Sequence, residues 1–327
     1  MLYNEILTKA GTSLLRVLCR CPYKEFYPSE LAKKAEISIT HTIRLIKILK
    51  NQNVITIRKS GRHELFKLNL ENLVAKKFLE LFHLERRLEI KKEFRAGLEE
   101  FVRNLEKNKH IVSIILFGSV AKGIETRESD IDLMIITDKV SETKKAASDL
   151  IEDLFGFYRY LIEEHIYTKE NFDSFYRKGN DMIINLIKDG IILYDSGFYQ
   201  QYLKRELPLP TQEHIEETLN FAKRNFKEAE SLIQTNYESA VIPLKNVVRD
   251  CCRAILLMKG FIPGSKHELP DQIKKINPEY SKLLKDINKI YIKHMEKAEK
   301  IEKKIIIKYL NKTEDLLKES LELFGVM

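Results

Sequence analysis

Cysteine is scarce in this chain: four in 327 residues, at Cys19, Cys21, Cys251 and Cys252. Neither pair has the Cys-x-x-Cys spacing of a zinc site, so all four are read as buried structural thiols rather than metal ligands or redox groups. No apolar run reaches the length needed to span a bilayer. The opening residues, MLYNEILTKAG, lack the basic start and apolar block of a signal peptide. These absences exclude a membrane partner and predict a cytoplasmic protein. Internal repeats and low-complexity tracts are also missing. What is there is 44% hydrophobic and 32% charged residues, a globular balance, and a length that suggests two or three domains. The formal net charge of +8 and pI near 9.0 favour a polyanionic partner.

Residues 1–75 begin with an amphipathic stretch, Glu5 to Leu18. PSELAKKA then signals a short helix with Ser29 as N-cap, and Ser38 starts a second helix, SITHTIRLIKILKNQ. There, Ile39, Ile43, Ile46 and Leu49 are predicted on one face and Thr40, His41, Arg44 and Lys47 on the other. Two alternating runs, VITIR and HELFKLN, joined by Lys59-Ser60-Gly61, predict a β-hairpin. The stretch SELAKKAEISITHTIRLIKILKNQNVI resembles the winged helix-turn-helix family. That resemblance implies DNA binding, with Thr40, His41, Arg44 and Lys47 entering the major groove and Arg58, Lys59 and Arg62 meeting phosphates from the wing. It also implies a homodimer reading paired half-sites.

Residues 76–207 predict a linker helix and then an α/β unit. Apolar positions at Leu79, Leu84, Leu88, Phe94, Leu98, Phe101 and Leu105 mark the leading helices. HIVSIILFGS, SDIDLMIIT, RYLIEEHIYT and IILYD are predicted strands; KKAASDLIEDLFGF and DMIINLIKDG are predicted helices, the second stopped by Gly190. Residues 208–327 show helical periodicity without a strand pattern and predict an antiparallel helical bundle.

The chemistry lies in LFGSVAKGIETRESDIDLMII. A buried strand delivers Gly118 and Ser119. Without a Cβ, Gly118 lets the backbone approach a phosphate, and Ser119 and the following turn offer hydroxyl and N–H donors. Asp130 and Asp132, two apart at the start of another strand, project from one face. Two carboxylates so close repel unless a cation lies between them, and Mg²⁺ suits carboxylates that share it with substrate phosphates. Lys122 and Arg127, in the intervening loop, are candidate phosphate partners.

The string resembles the nucleotidyltransferase superfamily that includes DNA polymerase β and the minimal nucleotidyltransferases, over roughly 110 residues. INLIKDGIILYD looks like the end of the minimal domain. The resemblance implies two Mg²⁺ ions, an NTP substrate such as ATP, and Asp130 and Asp132 as catalytic metal ligands. It implies a third carboxylate on a later strand, Glu163 or Glu164 in LIEEHIYT. The family's pattern of an acid followed by apolar residues points to Glu164, although His165 interrupts that run.

ESAVIPLKNVVRDCCRAILLMKGFIPGSKHE looks like the central helices of the HEPN superfamily, a frequent partner of minimal nucleotidyltransferases in toxin–antitoxin pairs. None of His214, His267 and His294 follows an Arg at the spacing of the HEPN ribonuclease site, so that activity is not carried over. The leading expectation is transfer of a nucleoside monophosphate, AMP from ATP, to a hydroxyl of a protein or RNA acceptor. Two alternatives stand beside it: a DNA-binding regulator whose nucleotidyltransferase domain senses nucleotide without turnover, and a small-molecule nucleotidyltransferase of the antibiotic-modifying kind.

Overall fold

A computed structural model describes residues 7–22, 24–61, 63–125, 129–158, 161–295 and 299–325. Contacts divide the chain into two compact units, Met1–Asp173 with Asn185–Leu207, and Ser174–Ile184 with Pro208–Met327.

The first unit opens with helices α1 (Lys9–Arg20), α2 (Pro28–Ala35) and α3 (Ile39–Asn51), followed by an antiparallel hairpin of β1 (Ile55–Ser60) and β2 (His63–Leu68). Leu14, Leu15, Leu18, Phe26, Leu31, Leu45 and Leu49 are sealed from solvent in it. Ser38 caps α3 by accepting the His41 N–H. Helix α2 begins one residue before the predicted Ser29 cap: Tyr27 is the N-cap and Pro28 takes N1, where its fixed φ and missing N–H cost nothing. The buried face of α3 also differs from the expected one. Thr42, Leu45, Ile46 and Leu49 are buried, at the i, i+3, i+4, i+7 spacing, whereas Ile39 and Ile43 are exposed. Thr42 offers a methyl group to the core and returns its hydroxyl to the Ser38 carbonyl, which is how a polar residue joins that face.

Helix α4 (Leu73–Glu89) starts at Asn72, whose side chain accepts the Val74 and Ala75 N–H groups. Its core residues are Ala75, Phe78, Leu79 and Phe82, while Leu84 and Leu88 face solvent. Helix α5 (Lys92–Leu105) buries Phe94, Leu98, Phe101 and Leu105 as their spacing predicts.

A four-stranded mixed sheet follows, with β3 (Ile111–Phe117), β4 (Ile131–Thr137), β5 (Ile162–Tyr167) and β6 (Ile191–Asp195) in the order β5-β4-β3-β6. Strand β3 runs antiparallel to β4 and β6, and β4 runs parallel to β5. Strands β3 and β4 are apolar almost throughout, as expected of strands covered on both faces. One face, through Ile114, Leu116, Ile131, Leu133, Ile135, Ile162 and Ile166, packs against α5 and α7 (Val140–Tyr158). Short helix α6 (Gly118–Lys122) links β3 toward β4. Helices α8 (Lys169–Arg177) and α9 (Asp181–Asp189) follow β5, and a 3-10 turn (Tyr199–Lys204) follows β6. Arg86 of α4 donates to the carbonyls of Asp189 at 2.6 Å and Gly190 at 3.0 Å, closing the last turn of α9.

The second unit contains α10 (Gln212–Thr235), α11 (Val241–Met258), α12 (Leu269–Lys274), α13 (Pro278–Met295) and α14 (Lys303–Gly325). Helix α11 is buried on most of its surface, and Val241, Leu244, Val247, Val248, Cys251, Cys252 and Ile255 belong to one core with residues of the helices around it. Cys251 and Cys252 are buried free thiols, and burial pushes Cys251 up to about 12. Cys19 is likewise buried, so these three thiols are packing residues. Among the described residues no helix is long and apolar enough to cross a membrane.

Candidate active site

The candidate site gathers at the start of β4. Apolar side chains alternate along this strand: Ile131, Leu133 and Ile135 enter the core beneath the sheet, which turns Asp132 to the opposite face. Asp132 pairs in register with Phe117 on β3 and with Glu163 on β5. Glu163 and His165, two apart on β5, therefore share the face of Asp132. Donor atoms of Asp132, Glu163 and His165 lie within 4.8 Å of one another. The His165 Nε2 sits 3.5 Å from a Glu163 oxygen, and its ring tilts against Phe117 with centroids 5.3 Å apart. Glu163 is the exposed member, whereas Asp132 and His165 are half-buried.

Gly118 closes the other side. Its φ is +73°, and a Cβ built there would stand 1.8 Å from the Asp132 Oδ2. The residue thus has two reasons to be glycine: a left-handed backbone and the carboxylate that occupies the place of a side chain. Gly123, at φ +69°, ends α6, and its N–H bonds to the Ser119 and Val120 carbonyls. Ser119 lies half-buried in the first turn of α6.

The sequence-predicted residues divide. Gly118 and Asp132 meet directly. Asp130, half-buried on the residue before β4, is not one of the three clustered ligands. Of the two candidate third carboxylates, Glu163 lies in the cluster and the favoured Glu164 does not: the parallel register pairs Glu164 with Leu133, which puts it on the face where Ile162 and Ile166 pack. Lys122 forms an ion pair with Asp189 at 3.3 Å. Arg127 and Arg62 lie outside the described residues. Thr40, His41, Arg44 and Lys47 are exposed on α3, and Lys59 is exposed on β1. Arg58 is engaged by Glu25 through bonds of 2.8 and 2.9 Å from its Nε. His165, which breaks the apolar run expected after the acid, is the cluster member that the sequence motif does not point to. Period-two alternation, Glu163 and His165 against Ile162, Glu164 and Ile166, is the signal that separates the faces.

Two carboxylates and an imidazole converging within a few ångströms make a donor set that can hold a divalent cation: the carboxylates suit Mg²⁺ or Mn²⁺, while the imidazole is a ligand for softer ions. The missing Cβ at Gly118 leaves room for the carboxylate that would hold it. Residues 99–197 match the family model for polymerase beta, nucleotidyltransferase. A protein of Methanocaldococcus jannaschii named Putative protein adenylyltransferase MJ0604 is 35% identical over 106 residues, covering 95% of that protein and 30% of this chain. The chain belongs to the polymerase β-like nucleotidyltransferases. A second relative from the same organism, Putative protein adenylyltransferase MJ1305, is 29% identical over 117 residues, 80% of its length and 34% of this chain. A solved nucleotidyltransferase-like protein from Exiguobacterium sibiricum superposes with a TM-score of 0.37 at 17% identity, covering 70% of this chain and 77% of that one. The matched segment of this nucleotidyltransferase contains Gly118, Ser119, Asp130, Asp132, Glu163 and His165.

Proposed function

We propose that the protein transfers AMP from ATP to a hydroxyl of another protein. The observation that carries this reading is the convergence of Asp132, Glu163 and His165 beside Gly118. The names of the two archaeal relatives support the choice of adenylate and of a protein acceptor. In the reaction, the acceptor oxygen bonds to the α-phosphorus, the bond from that phosphorus to the β-phosphate bridging oxygen breaks, and pyrophosphate leaves. Asp132, Glu163 and His165 would hold the divalent cation, with Asp130, on the residue before β4, as a further candidate. A cation held there would supply positive charge to the developing phosphates and to the attacking oxygen. Gly118 and Ser119 place backbone and hydroxyl donors for the triphosphate. The acceptor's proton passes to a carboxylate of the cluster, with Glu163, the most exposed, best disposed to receive it.

The test is transfer of label from α-phosphate-labelled ATP, with Mg²⁺ or Mn²⁺, to total protein and to total RNA of the native host. Label on protein that vanishes in an Asp130→Ala/Asp132→Ala double variant supports the reading. Label confined to RNA moves the acceptor class. Absence of transfer with every NTP favours a nucleotide-sensing regulator.

A second reading is favoured by one face of α3. Thr40, His41, Arg44 and Lys47 stand exposed together with Ile39 and Ile43, a mixture of cations, hydrogen-bonding groups and apolar groups suited to base edges and thymine methyls. With the β1–β2 hairpin behind them, these helices are read as a winged helix-turn-helix that binds DNA.

A further inference from the structure

A cavity of about 160 Å³ lies among α1, α4 and α6, and none of Gly118, Ser119, Asp132, Glu163 and His165 lines it. Two of its lining side chains carry a buried polar atom with no hydrogen-bond partner, Nδ1 of His83 and Oε2 of Glu125. Glu125 is 8% exposed, and its other oxygen is held by Lys91 at 3.0 Å. A buried carboxylate oxygen left without a donor is costly and points to a partner that the chain itself does not supply. The same walls carry charge of both signs, Arg16, Arg20, Arg86 and Lys122 against Glu85, Glu89 and Glu125, with Arg16 paired to Glu85 and Lys122 to Asp189. Among the described residues, Arg86 donates to the backbone carbonyls of Ala121, Asp189 and Gly190 and forms no ion pair, and Arg20 has neither a hydrogen bond nor an ion pair. Phe82 and Val120 give the cavity an apolar wall.

We propose that this cavity is a binding site for a small zwitterion, an α-amino acid, with its carboxylate against Arg20 and Arg86 and its ammonium against Glu125 Oε2. A lone inorganic anion would satisfy the guanidinium groups and leave Glu125 Oε2 beside a second negative charge. Water would satisfy the polar atoms but bring no charge to Arg20, and Arg86 has only the more distant carboxylates of Asp189 and Glu89 as counter-charges. The size agrees: at about 10–15 Å³ for each water, the cavity of about 160 Å³ holds roughly 11–16, the scale of an amino acid rather than of a nucleoside triphosphate. His83 is a neutral imidazole, pushed down to about 4 chiefly by burial and then by Arg86, so its Nδ1 adds a hydrogen bond without a competing charge.

Thermal unfolding of the full chain is the test, with each common amino acid offered singly and inorganic phosphate as the anion-only control. At least one amino acid is expected to raise the midpoint by a few degrees, because a ligand that binds only the folded state stabilises it. Phosphate is expected to fall short of it. Calorimetric titration with that amino acid should then show affinity reduced about tenfold or more in Glu125→Gln and in Arg20→Ala, each of which removes a charge-assisted contact. Arg20 is exposed, so its variant keeps the test valid should Glu125→Gln fail to fold. The proposal is overturned if no amino acid moves the midpoint, if phosphate reproduces the shift, or if the affinity survives in either folded variant.

Discussion

A methyl group at position 118 has nowhere to go. It would meet the Asp132 carboxylate at 1.8 Å and would force an L-residue into φ +73°. Gly118→Ala is therefore expected to lower stability by about 1–3 kcal/mol, the usual cost of a non-glycine residue in a disfavoured backbone region. It should also reduce nucleotidyl transfer on the order of 100-fold, because the carboxylate must move. Denaturant midpoints and initial rates measured on the same preparation separate the two effects; an unchanged rate would remove Asp132 from the site. At this scale the Gly-Ser and Asp-x-Asp strings were legible in the sequence, because glycine and paired acids have few other reasons to interrupt an apolar strand pair. The third member of the candidate cluster was not. Glu163 and Glu164 are chemically equal neighbours, and only the register of β5 on β4 assigns them to opposite faces.

Among the elements, the helices and strands around the motif follow their periodicity closely, as with β3, β4, β6 and the core face of α5. The misreadings fall where two faces were both partly apolar. In α3, Ile39 and Ile43 were assigned to the core, yet the stripe from Thr42 to Leu49 won it; in α4, Phe78 and Phe82 took the place of Leu84 and Leu88. A third feature escaped the sequence because it joins residues far apart. Asp181 is buried and receives Arg253 at 2.8 Å, with the His214 Nε2 at 3.1 Å. Burial acts to raise the Asp181 carboxyl, but His214 and Arg253 outweigh it and hold the group down at about 2. Arg253→Met leaves that carboxylate without its main counter-charge and is expected to cost about 3–5 kcal/mol in chemical denaturation. A loss under ~1 kcal/mol would show that the pair adds little.

The acid response of these groups has a definite sign. Because the folded Asp181 carboxyl titrates below its ordinary 3.8, its contribution is fully present above that value and is lost as pH falls from 3.8 through about 2. His83 acts at higher pH. Its folded value of about 4 lies below the ordinary 6.5, so the unfolded chain binds the extra proton, and stability present above 6.5 declines as pH falls toward 4. Urea midpoints should therefore fall as the pH is lowered from 7 to 4 in the native protein, and fall less in His83→Gln. Identical slopes would place His83 in contact with solvent.

For the whole molecule, the surplus of +8 charges bears on partners more than on fold. If the exposed face of α3 binds duplex DNA, the affinity should drop steeply with salt, and Lys47→Ala should flatten that dependence by roughly one unit of slope. Asp132→Ala should leave DNA binding unchanged. A salt-independent association in filter binding or anisotropy would argue for a protein-docking role of the same face. The central claim, that transfer depends on the face of the sheet shared by Asp132, Glu163 and His165, is tested most directly by comparing Glu163→Gln with Glu164→Gln in the labelled-ATP assay. Both substitutions remove one charge from adjacent residues on one strand. The account predicts that Glu163→Gln loses transfer on the order of 100-fold or more while Glu164→Gln stays close to the native rate; the reverse pattern would contradict it.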